Sequence, residues 1–412
     1  MRVTLSAPAE VVSEAAAVPA ARLHRRIRLA GDRITVLVSL NESVPSLWEF
    51  PLPDGLVLVR ADSFDLYALN SSASYAWTLF KSKASRSAAA AKYSRHYEIP
   101  LAIAEQDIEK TWSDWQETLL APAITDTVSE PTPIEIGHPT FTGTYCFCGK
   151  TVRVVLHRRD LVDEIAPRLA PLMGGSLSRT EALFEVTASN SGYHIYVNGQ
   201  WVESEVNLSE ARIRLLQELV RYAIPGPKWL ATFHAAACGD DTRCILFPAA
   251  SHSGKTTLAA ALMHSGLLLY AEDSAVLQGG TLAVPMTPFS LMVREGSWPL
   301  VIPRFPELAK APVISHSGTD VRFLAPRWDG QARSASVLAI VFSRYEPGSV
   351  TALEPLDTFE TLLRLQESGF WVEHDRQSIT DFIHWLGSRP TYSLTYSNLD
   401  EAVDITRKML AD

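Results

Sequence analysis

The sequence predicts a multidomain protein that combines an α+β module with an α/β domain. Three observations support this fold class: the length, a few strand-like runs followed by helical periodicity near the N-terminus, and a strand, a phosphate-loop-like turn and a helix in the second half. A chain of 412 residues exceeds one ordinary hydrophobic core, so two or three domains are expected. Hydrophobic residues make up 47% of it and charged residues 20%, which is typical of a folded globular protein.

The formal net charge of −9 argues against broad binding to nucleic acid or to anionic membranes, because both require an excess of basic surface. No apolar run reaches the roughly 18 residues that span a bilayer. The first residues include alanines and arginines but no compact apolar segment preceded by basic residues, so we expect no secretion signal and a cytoplasmic location. Residues 1–44 are expected to be a flexible N-terminal segment.

Four cysteines are few for this length. Cys146 and Cys148 are two positions apart, so on a strand both would point to the same face. A structural metal site would require a second pair of ligands at matching spacing, and Cys238 with Cys244 does not supply it. We therefore expect buried free thiols and a reducing compartment.

Residues 45–121 are predicted to form the α+β module. Two strand-like runs, Gly55–Arg60 and Phe64–Leu69, are separated by a turn. Asn70 or Ser71 can cap a helix through "SSASYAWTLF". A second helix fits "SRSAAAAKYSRHY", and a third is expected after Pro100.

The third helix of this module has one apolar face. Ile108, Trp112, Trp115 and Leu119 fall at offsets 0, 4, 7 and 11, which is helical spacing. The module contains too little polar chemistry for an enzyme, so we expect it to bind another molecule.

This order of strands, the segment "LYALNSSASYAWTLF" and the following helices resembles the winged-helix-like PqqD fold. Members of that fold act as RiPP recognition elements, which hold the leader peptides of ribosomally made natural products. The resemblance implies that a leader adds a strand beside Phe64–Leu69, whose unpaired edge would offer N–H and C=O groups. The peptide-binding residues would then be Phe64, Leu66, Tyr67, Trp112 and Trp115. Core packing of both tryptophans is the alternative.

Residues 122–139, rich in proline and threonine, are predicted to be a linker. Residues 140–225 are expected to form a small α+β subdomain with strands at "TVRVVLHR", "ALFEVTAS" and "GYHIYVNGQWV", the last containing a turn at Asn198-Gly199. An amphipathic helix follows at "EARIRLLQELVRYAI". Residues 226–412 are expected to form the nucleotide-binding domain, in which "LLLYAEDSAVL" is predicted to be the strand after the phosphate-loop helix.

The segment "AASHSGKTT" after the strand-like "RCILFP" nearly matches the phosphate-binding pattern GxxxxGK[ST], with Ala249 in place of the first glycine. In such a loop, consecutive backbone N–H groups surround phosphate oxygens at the start of a helix. Gly254 permits close approach of the backbone. Lys255 would bind the outer phosphates of ATP, and the Thr256 hydroxyl would bind Mg²⁺. The full set of predicted nucleotide contacts is Ser251, His252, Ser253, Gly254, Lys255, Thr256 and Thr257. A chance Gly-Lys-Thr at a helix start is the alternative.

Glu272 and Asp273 follow Thr256 by 16 and 17 residues. This close spacing, together with "FHAAAC", "SHSGKTT" and "LLYAEDSAVL", resembles the C-terminal domain of HPr kinase/phosphorylase and its related kinases, over residues 140–410. The resemblance implies that Glu272 accepts the proton of the attacking hydroxyl, that Asp273 helps Thr256 hold Mg²⁺, and that His234 lies beside them. Surface acids at the end of a strand are the alternative.

Three positions depart from the pattern of that family. Ala249 replaces a glycine, Glu272 replaces an aspartate, and Met292 stands where relatives often have a basic residue, for which Arg294 could substitute. The longer side chain of Glu272 would displace the carboxylate by about one methylene, and displacements of that size can be costly in rate. Reduced or lost catalysis therefore stays open.

The two resemblances together predict an ATP- and Mg²⁺-dependent kinase that phosphorylates a Ser or Thr hydroxyl of a ribosomally made precursor peptide, with a lasso-peptide-like pathway as one setting. The N-terminal module would capture the leader of that precursor. A catalytically inactive nucleotide-binding chaperone for the peptide, and nucleotidyl instead of phosphoryl transfer, are the alternatives. Other pathway enzymes are potential partners, and homo-oligomerisation, which is common among the resembled kinases, is not decided by the sequence.

Overall fold

The computed structural model describes residues 46–121, 138–147, 149–173, 180–189, 192–224, 229–249, 253–316 and 318–411. Within these ranges the chain is a mixed α/β protein with ten α-helices and five β-sheets. The described residues fall into two compact units, 46–121 and 138–411. The predicted flexible segment 1–44 and all but the last two residues of the predicted linker 122–139 lie outside the described residues.

The first unit is a three-stranded antiparallel sheet followed by three helices, with β2 as the central strand. Its elements are β1 (Leu47–Leu52), β2 (Gly55–Arg60), β3 (Leu66–Asn70), α1 (Ser71–Lys81), α2 (Arg86–Tyr97) and α3 (Leu101–Glu117). Strand β1 was not expected, because its exposed residues include a proline and its apolar positions do not alternate regularly. Proline is tolerated in such an edge strand.

The start of α1 is confirmed, because the Asn70 side chain accepts a hydrogen bond from the Ala73 N–H at 2.9 Å. The predicted strand Phe64–Leu69 instead begins at Leu66. Phe64 lies in the left-handed region, with φ at +54°, and its N–H closes a turn on the Arg60 carbonyl at 2.8 Å. The turn between β2 and β3 is therefore longer than expected.

The predicted apolar face of the third helix is confirmed. Ile108, Trp112, Trp115 and Leu119 are all buried in the core of the first unit. The Trp115 ring meets the Trp77 ring of α1 edge to face, with centroids 5.2 Å apart. Packing between α1 and α3 thus uses the aromatic residues that the helical spacing had singled out.

The second unit begins with a five-stranded sheet in the order β4-β5-β6-β7-β8, in which only β5 and β6 run parallel. Its elements are β4 (Phe141–Phe147), β5 (Lys150–Leu156), α4 (Arg159–Leu169), β6 (Ala182–Ala188), β7 (Tyr193–Val197), β8 (Gln200–Val206) and α5 (Leu208–Ala223). Helix α4 lies in the connection between the parallel strands, as such a crossover requires. The predicted hairpin turn at Asn198-Gly199 is confirmed, and both residues have positive φ.

The rest of the second unit is built around a seven-stranded sheet in the order β12-β10-β11-β18-β21-β19, with β14 also paired to β18. The elements are β9 (Trp229–Phe233), β10 (Ala235–Gly239), β11 (Arg243–Pro248), α6 (Lys255–His264), β12 (Leu268–Ala271), β13 (Ala275–Gln278), β14 (Ala283–Pro285), β15 (Leu291–Arg294), α7 (Trp298–Val301), β16 (Ile314–His316), β17 (Thr319–Leu324), β18 (Ser334–Tyr345), β19 (Ala352–Pro355), α8 (Thr358–Ser368), β20 (Phe370–Val372), α9 (Arg376–Gly387), β21 (Thr391–Tyr396) and α10 (Leu399–Ala411). Strands β11, β18 and β21 run parallel, so their carboxyl ends share one edge of the sheet.

Two smaller sheets flank this large one, in the orders β13-β9-β20 and β15-β17-β16. The five-stranded part does not have a separate core, because its buried cluster also contains Trp229, Val276, Phe289 and Trp371 from the later strands and loops. The predicted subdomain 140–225 and the predicted domain 226–412 therefore share this cluster, while the seven-stranded sheet also packs on a second cluster drawn from residues 236–410 alone.

The predicted buried free thiols are found at two positions, because Cys238 and Cys244 have no exposed surface and neither is in a disulfide. Burial raises the pKa of Cys238 to about 12 and also raises that of Cys244. Cys146 is only partly buried, and Cys148 lies outside the described residues.

We expect native protein at pH 7.5 to leave Cys238 and Cys244 unmodified by iodoacetamide, because the thiolate is the reactive species and hardly any is present. Cys146 serves as the internal control and should react. Peptide-resolved mass spectrometry measures each cysteine, and denatured protein should react at all of them. Alkylation of Cys238 in the native protein at the rate of Cys146 would contradict the packing described here.

Candidate functional site

The predicted phosphate loop lies between β11 and α6, as a strand, a loop and a helix. Gly254 caps α6 and has a φ of +91°, a conformation that residues with a side chain rarely adopt. A Cβ atom at this position would lie 2.9 Å from the Tyr396 hydroxyl oxygen and 3.2 Å from the Cβ atom of Tyr345. Glycine is therefore required both by the backbone and by the neighbouring side chains.

Ala249, the departure from the first glycine, is buried and its φ is not positive. Alanine therefore adds no backbone strain at this position. Ser251 and His252, two of the predicted nucleotide contacts, lie outside the described residues.

The described loop residues form hydrogen bonds with the end of a sheet strand and with a neighbouring turn. The Tyr345 N–H donates to the Ser253 carbonyl at 3.0 Å, which ties the loop to the end of β18. The Ser253 hydroxyl is buried and has no hydrogen-bond partner among the described residues. Such a hydroxyl favours a site that an oxygen-rich ligand completes. The Thr257 and Ser297 hydroxyls lie 2.7 Å apart and share a hydrogen bond.

His234 and the two acids lie at two neighbouring points where the chain passes between the three-stranded sheet β13-β9-β20 and the seven-stranded sheet. Strands β9 and β13 pair in a three-stranded sheet, with Phe233 opposite Ala275. Strands β10 and β12 pair in the seven-stranded sheet, with Ala237 opposite Ala271. Between these two ladders, His234 connects β9 to β10 and the residues 272–274 connect β12 to β13. Because these two crossings between the sheets are neighbours, they bring His234 close to the acids.

The prediction of one continuous strand through "LLLYAEDSAVL" was therefore wrong. Successive residues of a regular strand point to opposite faces, so Glu272 and Asp273 would have been separated. The bend at residues 272–274 instead lets both carboxylates contact the same guanidinium group, that of Arg168.

The Glu272 carboxylate is held at both oxygens. Its Oε1 accepts a hydrogen bond from the Thr256 hydroxyl at 3.1 Å, and its Oε2 lies 3.2 Å from Nη1 of Arg168. The resemblance implied that Thr256 and Asp273 together hold Mg²⁺; the Thr256 hydroxyl contacts Glu272 here. The Glu272 residue is only 3% exposed. Burial raises the pKa of Glu272, and the charge of Asp273 raises it further, against the opposing effects of Arg168, Lys255 and Thr256.

The Asp273 carboxylate contacts four cationic or hydrogen-bonding side chains. Its Oδ1 lies 3.3 Å from Nζ of Lys255 and 3.1 Å from Nε2 of His234. Its Oδ2 lies 3.5 Å from Nη1 of Arg168 and 3.7 Å from Nη2 of Arg212. Burial acts to raise the pKa of Asp273, but Lys255, the His234 hydrogen bond and the two arginines outweigh it and hold that pKa well below its usual range.

The His234 ring is fixed by the segment between α8 and β20. Its Nδ1 donates to the Ser368 carbonyl at 2.9 Å, and its main-chain N–H donates to the Gly369 carbonyl at 2.9 Å. With Nδ1 committed to a carbonyl, Nε2 faces Asp273. The predicted proximity of His234 to the acids is confirmed.

The two arginines were not predicted, because they come from α4 and α5, far from the acids in sequence and outside any local motif. Arg212 also lies 3.5 Å from Glu164, which in turn forms an ion pair with His316. The sequence suggested that Arg294 would supply the cation near Met292. The structure instead places Nη2 of Arg168 3.5 Å from the Met292 sulfur.

The predicted peptide-binding side chains are mostly in the core. Leu66, Tyr67 and Trp115 have no exposed surface, and Trp112 is nearly buried. Phe64 is half-buried, and its ring meets the Trp48 ring edge to face at 5.9 Å. The structure therefore favours the packing alternative for both tryptophans.

No protein-family model matches this chain, and no curated protein is significantly similar to it. Across the described ranges, no group of three or more His, Cys, Asp or Glu side chains could hold a metal ion. No helix in the same ranges is long and apolar enough to cross a membrane.

We expect Gly254→Ala to lower the free energy of unfolding more than Gly266→Ala does. Both positions have positive φ, which costs a residue with a side chain about 1 kcal/mol, but only the new Cβ at residue 254 meets other atoms within 4 Å. Chemical denaturation of the two variants measures the difference. Adding Tyr396→Phe to Gly254→Ala should recover part of the loss, and equal costs at the two glycines would contradict the described contact.

Proposed function

We propose that this chain is an ATP- and Mg²⁺-dependent kinase that transfers the terminal phosphoryl group to a Ser or Thr hydroxyl of a ribosomally made precursor peptide. One observation carries the proposal: adjacent residues of the loop, Lys255 and Thr256, each contact one of two adjacent acids. Phosphoryl transfer requires a phosphate-binding cation, a metal-binding hydroxyl and acids beside them. Each of the two loop groups lies within hydrogen-bonding or ion-pair distance of one of the acids.

In the proposed reaction, the main-chain N–H groups at the start of α6 and the Lys255 ammonium bind the phosphates. Lys255 is 8% exposed and is paired with Asp273, so it must exchange one anionic partner for another when nucleotide binds. The positive φ of Gly254 directs the main chain toward the ligand without a side chain in the way.

The residues Thr256 and Glu272 fit Mg²⁺. This ion prefers oxygen ligands and is typically bound through one or two protein groups together with the phosphates of the nucleotide. The Thr256 hydroxyl and the Glu272 carboxylate are such a pair, with their oxygens 3.1 Å apart. When bound, the ion would neutralise charge on the phosphate oxygens.

Asp273 is the better candidate to accept the proton of the attacking hydroxyl, which reverses the roles that the resemblance implied. Its side chain is 17% exposed, whereas that of Glu272 is 4% exposed, so a substrate reaches Asp273 more easily. When Lys255 moves to the phosphates, Asp273 loses the cation that most lowers its pKa. The contact with Nε2 of His234 at 3.1 Å then keeps the carboxylate oriented.

The first unit supports capture of a leader peptide by its architecture, three antiparallel strands followed by three helices. An extended peptide can add to an edge strand through main-chain hydrogen bonds, and β3 is an edge strand among the described residues. Residues Leu66–Leu69 have no exposed surface, so a leader can pair there only after that edge is uncovered. Capture would convert the search of the kinase site for its hydroxyl into an intramolecular one.

A catalytically inactive nucleotide-binding chaperone for the peptide is the second candidate. It is favoured by the contacts of Glu272, because Thr256 and Arg168 already occupy both of its carboxylate oxygens. Mass spectrometry of the precursor after incubation with ATP distinguishes the candidates. A phosphate-sized addition supports the kinase, a nucleotide-sized addition indicates nucleotidyl transfer, and an unmodified peptide with bound ATP supports the chaperone.

Lys255→Ala should lower phosphoryl transfer to the precursor by about 100-fold or more, because a preorganised cation at the phosphates is lost. Leader binding, measured by fluorescence anisotropy of a labelled leader peptide, should stay unchanged, because the change lies outside residues 46–121. Lys408→Ala, at an exposed lysine of α10, is the matched control and should retain activity. Full activity of Lys255→Ala would rule out this loop as the phosphate site.

Removing the leader from the precursor should raise KM by about 100-fold or more while leaving kcat nearly unchanged, because tethering acts on local concentration and not on the chemical step. Steady-state kinetics with full-length and leaderless peptides measure both constants. A scrambled leader of equal length is the control and should behave as the leaderless peptide does. Equal KM values for full-length and leaderless peptides would show that the first unit does not capture the leader.

A further inference from the structure

Arg168 is the one side chain among the described residues that contacts both acids of the site. It lies in the last turn of α4, and only 1% of its surface is exposed. Its Nη1 lies 3.2 Å from Oε2 of Glu272 and 3.5 Å from Oδ2 of Asp273. One guanidinium nitrogen thus bridges two carboxylates that would otherwise repel each other.

The contacts sort the four carboxylate oxygens into two sets. Oε1 of Glu272 and Oδ1 of Asp273 face Thr256 and Lys255 of the phosphate loop. Oε2 and Oδ2 both face Arg168. A planar guanidinium has donors in a fixed geometry, so it can hold the second set and leave the first set directed at the loop.

Arg168 is itself held through its main chain and through contacts of its guanidinium group. Its main-chain carbonyl accepts a hydrogen bond from the Ser290 N–H at 2.9 Å. Its guanidinium contacts the Met292 sulfur at 3.5 Å and lies over the Phe323 ring, 5.6 Å from the centroid. Apart from the acids, the guanidinium is therefore contacted by two strands of the second unit, β15 at Met292 and β17 at Phe323.

We propose that Arg168 is a positioning residue of the kinase site: it holds Glu272 and Asp273 together so that Lys255 can leave Asp273 and bind nucleotide. This role rests on the proposed function. When Lys255 moves to the phosphates, Asp273 keeps Arg168 and Arg212 at Oδ2 and His234 at Oδ1. Without Arg168, Lys255 would be the closest cation left to both acids and would be retained there.

Two substitutions separate the charge of Arg168 from its shape. Arg168→Met removes the cation, so Lys255 should stay with the acids and the Kd for a magnesium complex of a nonhydrolysable ATP analogue should rise by about tenfold or more. Arg168→Lys keeps a cation but cannot bridge both carboxylates. It should restore most of the affinity and still lower kcat of phosphoryl transfer by about 100-fold, because the acids are no longer aligned.

The matched control is Arg60→Met in the first unit. Arg60 is also nearly fully buried and ion-paired, with Asp62 at 2.6 Å, but it has no contact with the acids. Arg60→Met should change thermal stability without changing nucleotide affinity. Calorimetric titration gives Kd, and thermal unfolding reports on folding. Arg168→Met leaves the two acids without the cation they share. Should that variant fail to fold, Arg168→Lys tests the proposal, because it is expected to lower kcat while keeping most of the nucleotide affinity.

The outcomes separate this inference from the proposed function. If the unaltered protein does not bind the ATP analogue, the nucleotide site itself is refuted and the role of Arg168 with it. If the unaltered protein binds and Arg168→Met binds equally well, only the role of Arg168 is refuted. If Arg168→Lys and Arg168→Met both raise Kd and lower kcat in proportion to their loss of thermal stability, the arginine is merely structural.

Discussion

The second unit depends on holding two adjacent carboxylates, the buried Glu272 and the partly buried Asp273, largely out of water. Taking an ionised carboxylate out of water costs several kcal/mol, and two neighbouring ones also repel each other. Glu272 and Asp273 are tolerated because Arg168, Arg212, Lys255 and His234 supply cations and hydrogen bonds at fixed positions. Since these partners come from α4, α5, α6 and the β9–β10 connection, the site can form only when all of these elements have folded together.

The double crossing between sheets explains how so many groups meet at one place. A regular ladder would alternate side chains between faces and would separate neighbouring acids. By passing from the seven-stranded sheet to the smaller one at residues 272–274, the chain turns both carboxylates toward α4. The opposite crossing at His234 is one residue long, so this side chain is held between two strands that cannot move independently. Its bond to the Ser368 carbonyl adds a third support.

Local chemistry in the sequence was enough to place much of the fold. The cap at Asn70, the apolar face through Trp115, the Asn198-Gly199 turn and the loop at Gly254 depend on residues close in sequence, and each was predicted correctly. The two crossings could not be predicted, because a bend between two strand-forming runs has no residue signature here. Arg168 and Arg212 were also missed, because the distance along the chain from Arg168 to Glu272 is 104 residues and only the tertiary fold joins them. The burial of Leu66 and Tyr67 was missed because an edge strand was assumed to be exposed.

The proposed roles, with Asp273 as the proton acceptor and Glu272 as the metal ligand, bear on whether a glutamate at position 272 is compatible with catalysis. The extra methylene of Glu272 would be most damaging if this carboxylate had to meet the attacking hydroxyl, since the reacting atoms tolerate little displacement. In the structure Glu272 instead meets the hydroxyl of Thr256 and the guanidinium of Arg168, and both contacts are formed at ordinary distances with the longer side chain. The shorter Asp273 is the more exposed of the two acids. Under the proposed roles, the glutamate that replaces an aspartate of the resembled kinases is therefore the acid beside the phosphate loop, where Thr256 and Arg168 fit its longer side chain. The proton acceptor is then still an aspartate, Asp273.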